Sequence, residues 1–194
     1  RYPLGGKLYV FNKNENIGFI KGHMCSPAIA TQAEDLIAGG VKELIHVGYA
    51  GGLQPELVPG EIILTDGAFN DTAVARLYGY DYDIIHSSKD LTNEIESMIT
   101  SAEIPYKRGI HWTTDAGYRE TWGQVMDYRD KGALCVEMEG VGLFTIANYR
   151  KCVATGIYVV SDVYSENDWK LGWEGNDIKR AVGAVIDMII ESIR

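Results

Sequence analysis

The feature that most constrains the fold is a regular alternation of short apolar runs with segments of helical periodicity. Leu44–Val47 and Val153–Val160 are apolar runs of strand length, and residues 178–193 place isoleucines and valines along one helical stripe. Strands that alternate with helices are typical of a sheet covered by helices on both faces. We therefore predict an α/β fold, a three-layer sandwich whose central sheet is mixed and mostly parallel.

Length and composition predict a single domain. The chain has 194 residues, of which 46% are apolar and 23% are charged, as expected for a globular protein with one sizeable core. No internal repeat or linker divides it, so residues 1–194 are expected to form one domain. The chain begins at Arg1 and not at a methionine, which leaves room for an N-terminal segment before it.

Net charge and cysteine usage exclude several classes of partner. A net charge of −9 disfavours binding to nucleic acid or to an anionic membrane, and no apolar run approaches the roughly 20 residues of a membrane helix. The odd, scattered cysteines Cys25, Cys135 and Cys152 predict reduced thiols, with neither a disulfide framework nor a metal site. We expect a cytoplasmic protein.

Local patterns make three further predictions. Ser26 is placed to cap a helix over about 28–37, with Pro27 in its first turn. The glycine-rich stretch 48–52 is typical of a tight loop after a strand. Residues 67–90 show no clear periodicity and are expected to form an irregular flap.

Two acids one residue apart are the first candidates for chemistry. Glu137 and Glu139 follow an apolar run and precede a helical pattern. On a strand they would share one face, because side chains alternate with period two. This is the position at which open α/β sheets bind ligands, although a solvated strand end is the simpler alternative.

Other strand ends also carry polar or glycine-rich segments. They are 48–52, 115–118 and 161–166, and with 137–140 they would converge on one edge if their strands are parallel. Within them, Asp162 could protonate or hydrogen-bond a leaving group, or it could simply cap a turn. His46 could equally be a core histidine.

A set of short motifs resembles the nucleoside phosphorylase family, which includes bacterial purine nucleoside phosphorylases, uridine phosphorylases and methylthioadenosine nucleosidases. The motifs occur in family order at Met24–Pro27, His46–Gly52, Pro59–Ile63, Thr114–Asp115, Val136–Glu139 and Val160–Asp162. The resemblance implies a pentosyltransferase of nucleoside metabolism that cleaves a ribosyl N-glycosidic bond. It also implies a homo-oligomer, such as a dimer or a hexamer.

The resemblance also implies roles for individual residues. Asp162 would assist departure of a purine base, which is the catalytic role. The ribose would be held by Glu139, Met138 and Met24. The base would contact Gly117, Tyr118, Val136, Glu137 and Gly51.

The phosphate site departs from the family pattern. His46 stands where an arginine is usual, Tyr49 where a serine or threonine is usual, and Cys25 where a glycine is usual. Besides His46 and Tyr49, Gly48 and an Arg1 donated by a neighbouring subunit are the candidate phosphate contacts.

Three functions follow from these residues. The first is phosphorolysis of a nucleoside to base and (deoxy)ribose 1-phosphate, with inorganic phosphate as co-substrate and no other cofactor. The second is hydrolysis by the same sugar and base pocket. The third is nucleoside binding without catalysis. The residue pattern leaves the base, the sugar and the acceptor open.

Overall fold

The computed structural model describes residues 7–12, 14–165, 168–172 and 175–192, and these ranges contain nine strands and six helices. The strands are β1 (Leu8–Phe11), β2 (Asn14–Ile20), β3 (Glu43–Gly52), β4 (Ile62–Asp71), β5 (Ile84–His86), β6 (Tyr106–Thr114), β7 (Cys135–Glu137), β8 (Val153–Ser165) and β9 (Asp168–Leu171). The helices are α1 (Ser26–Ala38), α2 (Val74–Leu77), α3 (Lys89–Ser101), α4 (Trp122–Asp130), α5 (Gly140–Arg150) and α6 (Asn176–Ser192). Arg1 and the end of the 161–166 segment lie outside the described residues.

The main sheet is mixed, and part of it closes on itself. Its strand order is β5-β4-β6-β7-β3-β8-β9, and an additional pairing of β4 with β8 joins five of the strands into a ring. The two longest pairings, β3 with β8 and β4 with β6, are parallel. The pairings of β3 with β7 and of β4 with β8 are antiparallel.

Helices cover the sheet in two groups, each of which forms a core with it. Helices α1, α2 and α5 share one cluster with Ala68 of β4 and Ala154 of β8. Helices α3 and α6 share another with Leu64 and Ile157 of the same two strands. The predicted α/β fold is confirmed, and the layers agree with a three-layer sandwich. Within the described ranges, no helix combines the length and the apolar character needed to cross a bilayer.

The three local predictions were wrong in detail. Gly48–Gly52 continues strand β3, and a Cβ on Gly52 would meet side-chain carbons of Val160 and Val163 at 3.1 Å, so glycine is needed there for close packing and not for a turn. The segment 67–90 contains the end of β4, the short helix α2 and β5. Helix α1 and the place of Pro27 in its first turn are confirmed, but Ser26 does not cap the helix, because its hydroxyl donates to the carbonyl of Met138 at 2.9 Å.

The strand directions also correct the expected convergence at one edge. Because β3 and β8 run opposite to β6 and β7, their carboxyl ends do not lie on the same side. The residues meet through cross-strand register, since Gly51 pairs with Asp162 on one side and with Val136 on the other. The site is therefore assembled across neighbouring strands at one level of the sheet.

Candidate active site

Glu137 and Glu139 have different environments, although they are one residue apart. Strand β7 ends at Glu137, and Glu139 is the N-cap residue of α5 with φ −119° and ψ −35°. The prediction that both acids extend from one strand face is therefore wrong. The Glu137 side chain turns inward, where Oε2 accepts hydrogen bonds from the main-chain N–H of Glu139 and of Gly140, both at 2.8 Å. Because a carboxylate satisfies orphan N–H groups at a helix start, Glu137 holds the first turn of α5.

The Glu137 carboxylate lies in a buried polar cluster. Its Oε1 is 3.0 Å from His111 Nε2, and it accepts a 2.5 Å hydrogen bond from the Thr113 hydroxyl. Burial alone would raise the pKa of Glu137, but His111 and these hydrogen bonds outweigh burial and lower it. The carboxylate is engaged with protein groups, and the predicted contact of Glu137 with the base stays a prediction.

Glu139 faces the other way and is held from the start of α1. Its Oε1 accepts a hydrogen bond from the main-chain N–H of Cys25 at 2.7 Å. Burial, followed by the charge of Glu137, raises the pKa of Glu139 to about 7, while the Cys25 N–H opposes the increase. A carboxylate that titrates near neutral pH is typical of functional sites.

Cys25 supplies this N–H from a backbone conformation that side chains rarely adopt. Its φ of 74° and ψ of 148° lie in a region occupied almost only by glycine. Glycine, which the resemblance implies as the usual residue here, adopts this conformation without strain. Met24, the neighbouring predicted ribose contact, is 74% exposed.

At the other end of the site, Asp162 lies beside Gly51 and Val136, as their cross-strand pairing requires. The Ser161 hydroxyl donates to Asp162 Oδ1 at 2.5 Å, and both residues are buried. A Cβ on Gly51 would lie 3.3 Å from Asp162 Oδ2, 3.4 Å from Val136 Cγ1 and 2.8 Å from Tyr164 Cε2. Any larger residue at position 51 would therefore crowd this end of the site.

The structure adds Glu120, which sequence reasoning missed, and Tyr164, which the sequence indicated only as part of the segment 161–166. The Tyr164 hydroxyl donates to Glu120 Oε2 at 2.8 Å. Burial, and in addition the charge of Asp162, raises the pKa of Glu120. A Cβ on Gly117 would lie 3.4 Å from Glu120 Oε1 and 3.8 Å from Met138 Sδ, so Gly117 connects Glu120 with Met138, the neighbour of Glu139. Residues 120–130 showed only a polar helical pattern, so no signal identified Glu120.

Tyr118 does not pack against this pocket within the chain. It lies in a short 3-10 turn over Gly117–Arg119, and its side chain is fully exposed. Its predicted contact with the base stays a prediction.

The candidate phosphate residues form a third region. His46 Nδ1 is 3.5 Å from the buried Tyr158 hydroxyl, and burial lowers the pKa of His46, so its ring is neutral at pH 7. Gly48 packs against this ring, since a Cβ there would lie 3.1 Å from His46 Cε1, while Tyr49 is exposed. Within the described ranges, no hydrogen bond or ion pair brings an arginine or lysine to His46 or Glu139.

The candidate residues form no metal centre. In the part of the chain that the structure describes, no group of three His, Cys, Asp or Glu side chains could hold a metal ion.

Known proteins of one family resemble this chain. The profile of the phosphorylase superfamily matches residues 3–191. A DeoD-type purine nucleoside phosphorylase of Exiguobacterium sibiricum is 32% identical over 139 residues, which cover 70% of this chain and 59% of that protein. A DeoD-type enzyme of Caldanaerobacter subterraneus is 33% identical over 156 residues, covering 75% and 67%.

A solved structure shares the fold. It is described as a P knowlesi homolog of P falciparum PNP, and it superposes with a TM-score of 0.72 at 23% identity over 84% of this chain and 66% of that one. The present chain spans 59% of the length of the Exiguobacterium sibiricum relative. The family profile covers nearly every residue, and both relatives are named DeoD-type purine nucleoside phosphorylases. The predicted resemblance is therefore confirmed, and the chain belongs to the phosphorylase superfamily.

Proposed function

We propose that this chain carries the nucleoside pocket of an enzyme that cleaves the N-glycosidic bond of a purine nucleoside. The observation that carries the proposal is a pair of anchored carboxylates, Glu139 and Asp162, at the two ends of one site. Glu139 is held by the Cys25 N–H and Asp162 by the Ser161 hydroxyl. Gly117, which lies beside both Met138 and Glu120, connects the two ends.

The two acids suit the two halves of the reaction. Cleavage proceeds through an oxocarbenium-like sugar, so the enzyme must hold the ribose and stabilise the leaving base. The ionised carboxylate of Glu139 accepts charge-assisted hydrogen bonds from ribose hydroxyls, with Met138 and Met24 lining the sugar. Asp162 hydrogen-bonds or protonates a ring nitrogen as the base departs with the bonding electrons.

A purine is the favoured base. The relatives are named purine nucleoside phosphorylases, and an acid at position 162 suits a purine ring nitrogen. Glu120 adds a second acceptor at the same end, which favours bases that present N–H groups to it.

Inorganic phosphate is the first candidate acceptor, as the names of the relatives suggest. The products would then be the free base and (deoxy)ribose 1-phosphate. Water is the second candidate, and His46 favours it: a neutral imidazole stands where a phosphate-binding arginine is usual, so it offers no charge to a phosphate dianion.

One assay separates the candidates. The protein is freed of phosphate and incubated with inosine, adenosine or uridine, with and without added phosphate, and free base and sugar products are quantified by chromatography. Phosphate-dependent release from the purine nucleosides with formation of ribose 1-phosphate supports phosphorolysis. Phosphate-independent release with free ribose supports hydrolysis.

An Asp162→Ala protein, purified in parallel, shows that any activity belongs to this site. If the unmodified protein binds a nucleoside but releases no base under either condition, the enzymatic proposal is wrong and a binding function replaces it. A homo-oligomer and a cytoplasmic location stay predictions; light scattering in solution tests the first.

A further inference from the structure

A buried polar cluster surrounds the Glu137 carboxylate, next to Glu139 in the chain. Thr65, His111 and Thr113 are fully buried, and Glu137 is 5% exposed. Burying ionisable groups is costly unless they are paired and hydrogen-bonded, so an apolar core would be the cheaper solution at this place. The cluster therefore calls for a functional explanation.

Both ring nitrogens of His111 have hydrogen-bond partners in this cluster. Thr65 has one hydroxyl hydrogen, which it donates to the carbonyl of Gly67 at 2.8 Å. With that hydrogen directed at Gly67, the 2.6 Å contact between Thr65 Oγ1 and His111 Nδ1 places a proton on the nitrogen. On the other side, His111 Nε2 lies 3.0 Å from a Glu137 oxygen, which can only accept. In this arrangement both ring nitrogens donate, which is the hydrogen-bonding pattern of an imidazolium.

Glu137 has a structural role at the start of α5 that requires an ionised carboxylate. It accepts the N–H groups of both Glu139 and Gly140, and it thereby sets the main-chain position from which the Glu139 side chain extends. The same negative charge disfavours ionisation of Glu139. Ribose binding, in contrast, requires Glu139 to be ionised. A counter-ion for Glu137 resolves this conflict.

We propose that His111 is a positioning residue for ribose binding: as a buried imidazolium it neutralises Glu137, so that Glu137 can hold the start of α5 while Glu139 stays ionised towards the sugar. The inference rests on the proposed function, because it assumes that Glu139 accepts the ribose hydroxyls. The geometry assigns the role to His111, since its ring bridges Thr65 and the Glu137 carboxylate.

The other titratable groups around Glu139 and Glu137 do not provide this compensation. Burial raises the pKa values of Tyr158, Cys25 and Cys135, which keeps these groups neutral, and burial lowers the pKa of His46. Asp115 lies near Cys25 and adds negative charge. Among the described residues that act on this pair, His111 is the cation.

The first test needs no substrate and no variant. The ¹⁵N chemical shifts of the His111 ring in the unmodified protein at pH 7 report whether one or both nitrogens carry a proton. Two protonated nitrogens are expected. A neutral ring at pH 7 would overturn the inference.

The second test measures the titration of Glu139 by ¹³C NMR of its carboxyl carbon, assigned with Glu139→Gln. Relative to the unmodified protein, His111→Gln is expected to raise the Glu139 midpoint and Glu137→Gln is expected to lower it. Each shift should be about one pH unit, because a nearby charge changes the pKa of a buried carboxyl group by this order. The double variant should return towards the original midpoint. His86→Gln, at an exposed histidine of β5, serves as the matched control. An unshifted midpoint in folded His111→Gln would contradict the proposal.

The third test connects the charge to binding. For inosine, His111→Gln should raise KM about tenfold at pH 6.5 but by less than about threefold at pH 8.5, with a smaller change in kcat. The reason is that the Glu139 midpoints of the two proteins differ by about one pH unit, so the ionised fraction of Glu139 differs most at the lower pH. A KM increase that is equal at both values would indicate only a structural role. If the unmodified protein neither binds nor cleaves nucleosides, the proposed function fails while both NMR tests still decide the charge state of His111.

Discussion

The two ends of the candidate site, which we propose bind the ribose (the ribose end) and the base (the base end), hold their acids by different means. At the ribose end, the Cys25 main-chain N–H binds Glu139 and two further main-chain N–H groups bind Glu137. At the base end, side-chain hydroxyls provide the hydrogen bonds, from Ser161 to Asp162 and from Tyr164 to Glu120. Main-chain donors persist whatever the side chain, whereas a hydroxyl is removed by a single substitution.

The difference suggests that recognition of the base can vary more readily than recognition of the sugar. The position of the sugar carboxylate depends on where α1 and α5 begin, and hence on the fold. The position of the base acids depends on individual hydroxyls, so the preference for a base can change without altering the fold. The following substitutions test this division, from the largest expected effect to the smallest.

Glu139→Ala should have the largest effect, because it removes charge-assisted hydrogen bonds to ribose hydroxyls. We expect a loss in kcat/KM of about 10³-fold for every nucleoside that the enzyme accepts, since two such bonds contribute several kcal/mol. Steady-state kinetics on inosine and adenosine measure it, and Glu43→Ala, at the exposed start of β3, is the control. A loss confined to one base would contradict assignment of Glu139 to the sugar.

Asp162→Asn should reduce kcat by about 10²-fold with purine nucleosides, because the amide keeps a hydrogen-bonding side chain but cannot supply the proton. A riboside with a p-nitrophenol leaving group needs no protonation, so its cleavage should change by less than about fivefold. Equal losses with both substrates would place Asp162 outside leaving-group chemistry.

Tyr164→Phe should alter base preference without affecting the ribose end. The hydroxyl stabilises ionised Glu120 and lowers its pKa, so its removal raises the pKa of Glu120 further. We expect the inosine-to-adenosine ratio of kcat/KM to change by about three- to tenfold, because one hydrogen bond to a charged group is lost. The change should be larger at pH 6 than at pH 8. Tyr149→Phe, at an exposed tyrosine of α5, is the control, and an unchanged ratio would exclude Glu120 from base recognition.

Cys25→Gly tests the strained backbone at the ribose end and should have the smallest effect on activity. Glycine adopts φ 74° and ψ 148° without strain, so we expect the free energy of unfolding to rise by about 1 kcal/mol, because the relief exceeds the entropy that glycine adds to the unfolded chain. Urea denaturation measures it. Cys25→Ala keeps the Cβ and should not gain this stability; equal gains in both variants would mean that the thiol, and not the backbone, causes the strain.

The broad architecture could be predicted from the sequence, but the direction and length of the strands could not. Apolar runs and helical stripes indicated most elements and the α/β class. The glycines at 48–52 predict a turn, because a glycine required by a close neighbour looks the same in a sequence as one required by a turn. Strand polarity depends on which strands pair, and β7 pairs antiparallel with β3.

The sequence by itself determined the family and indicated Glu139 and Asp162 as candidate acids and His46 as a departure from the family pattern, because these depend on residue identity in a local motif. Only the tertiary structure separated Glu137 from Glu139, since β7 ends at Glu137 and α5 then turns the two side chains apart. It also brought Glu120 to Tyr164 and His111 to Glu137, pairs that lie 44 and 26 residues apart. Contacts between distant residues arise from packing and strand register, which local patterns do not encode.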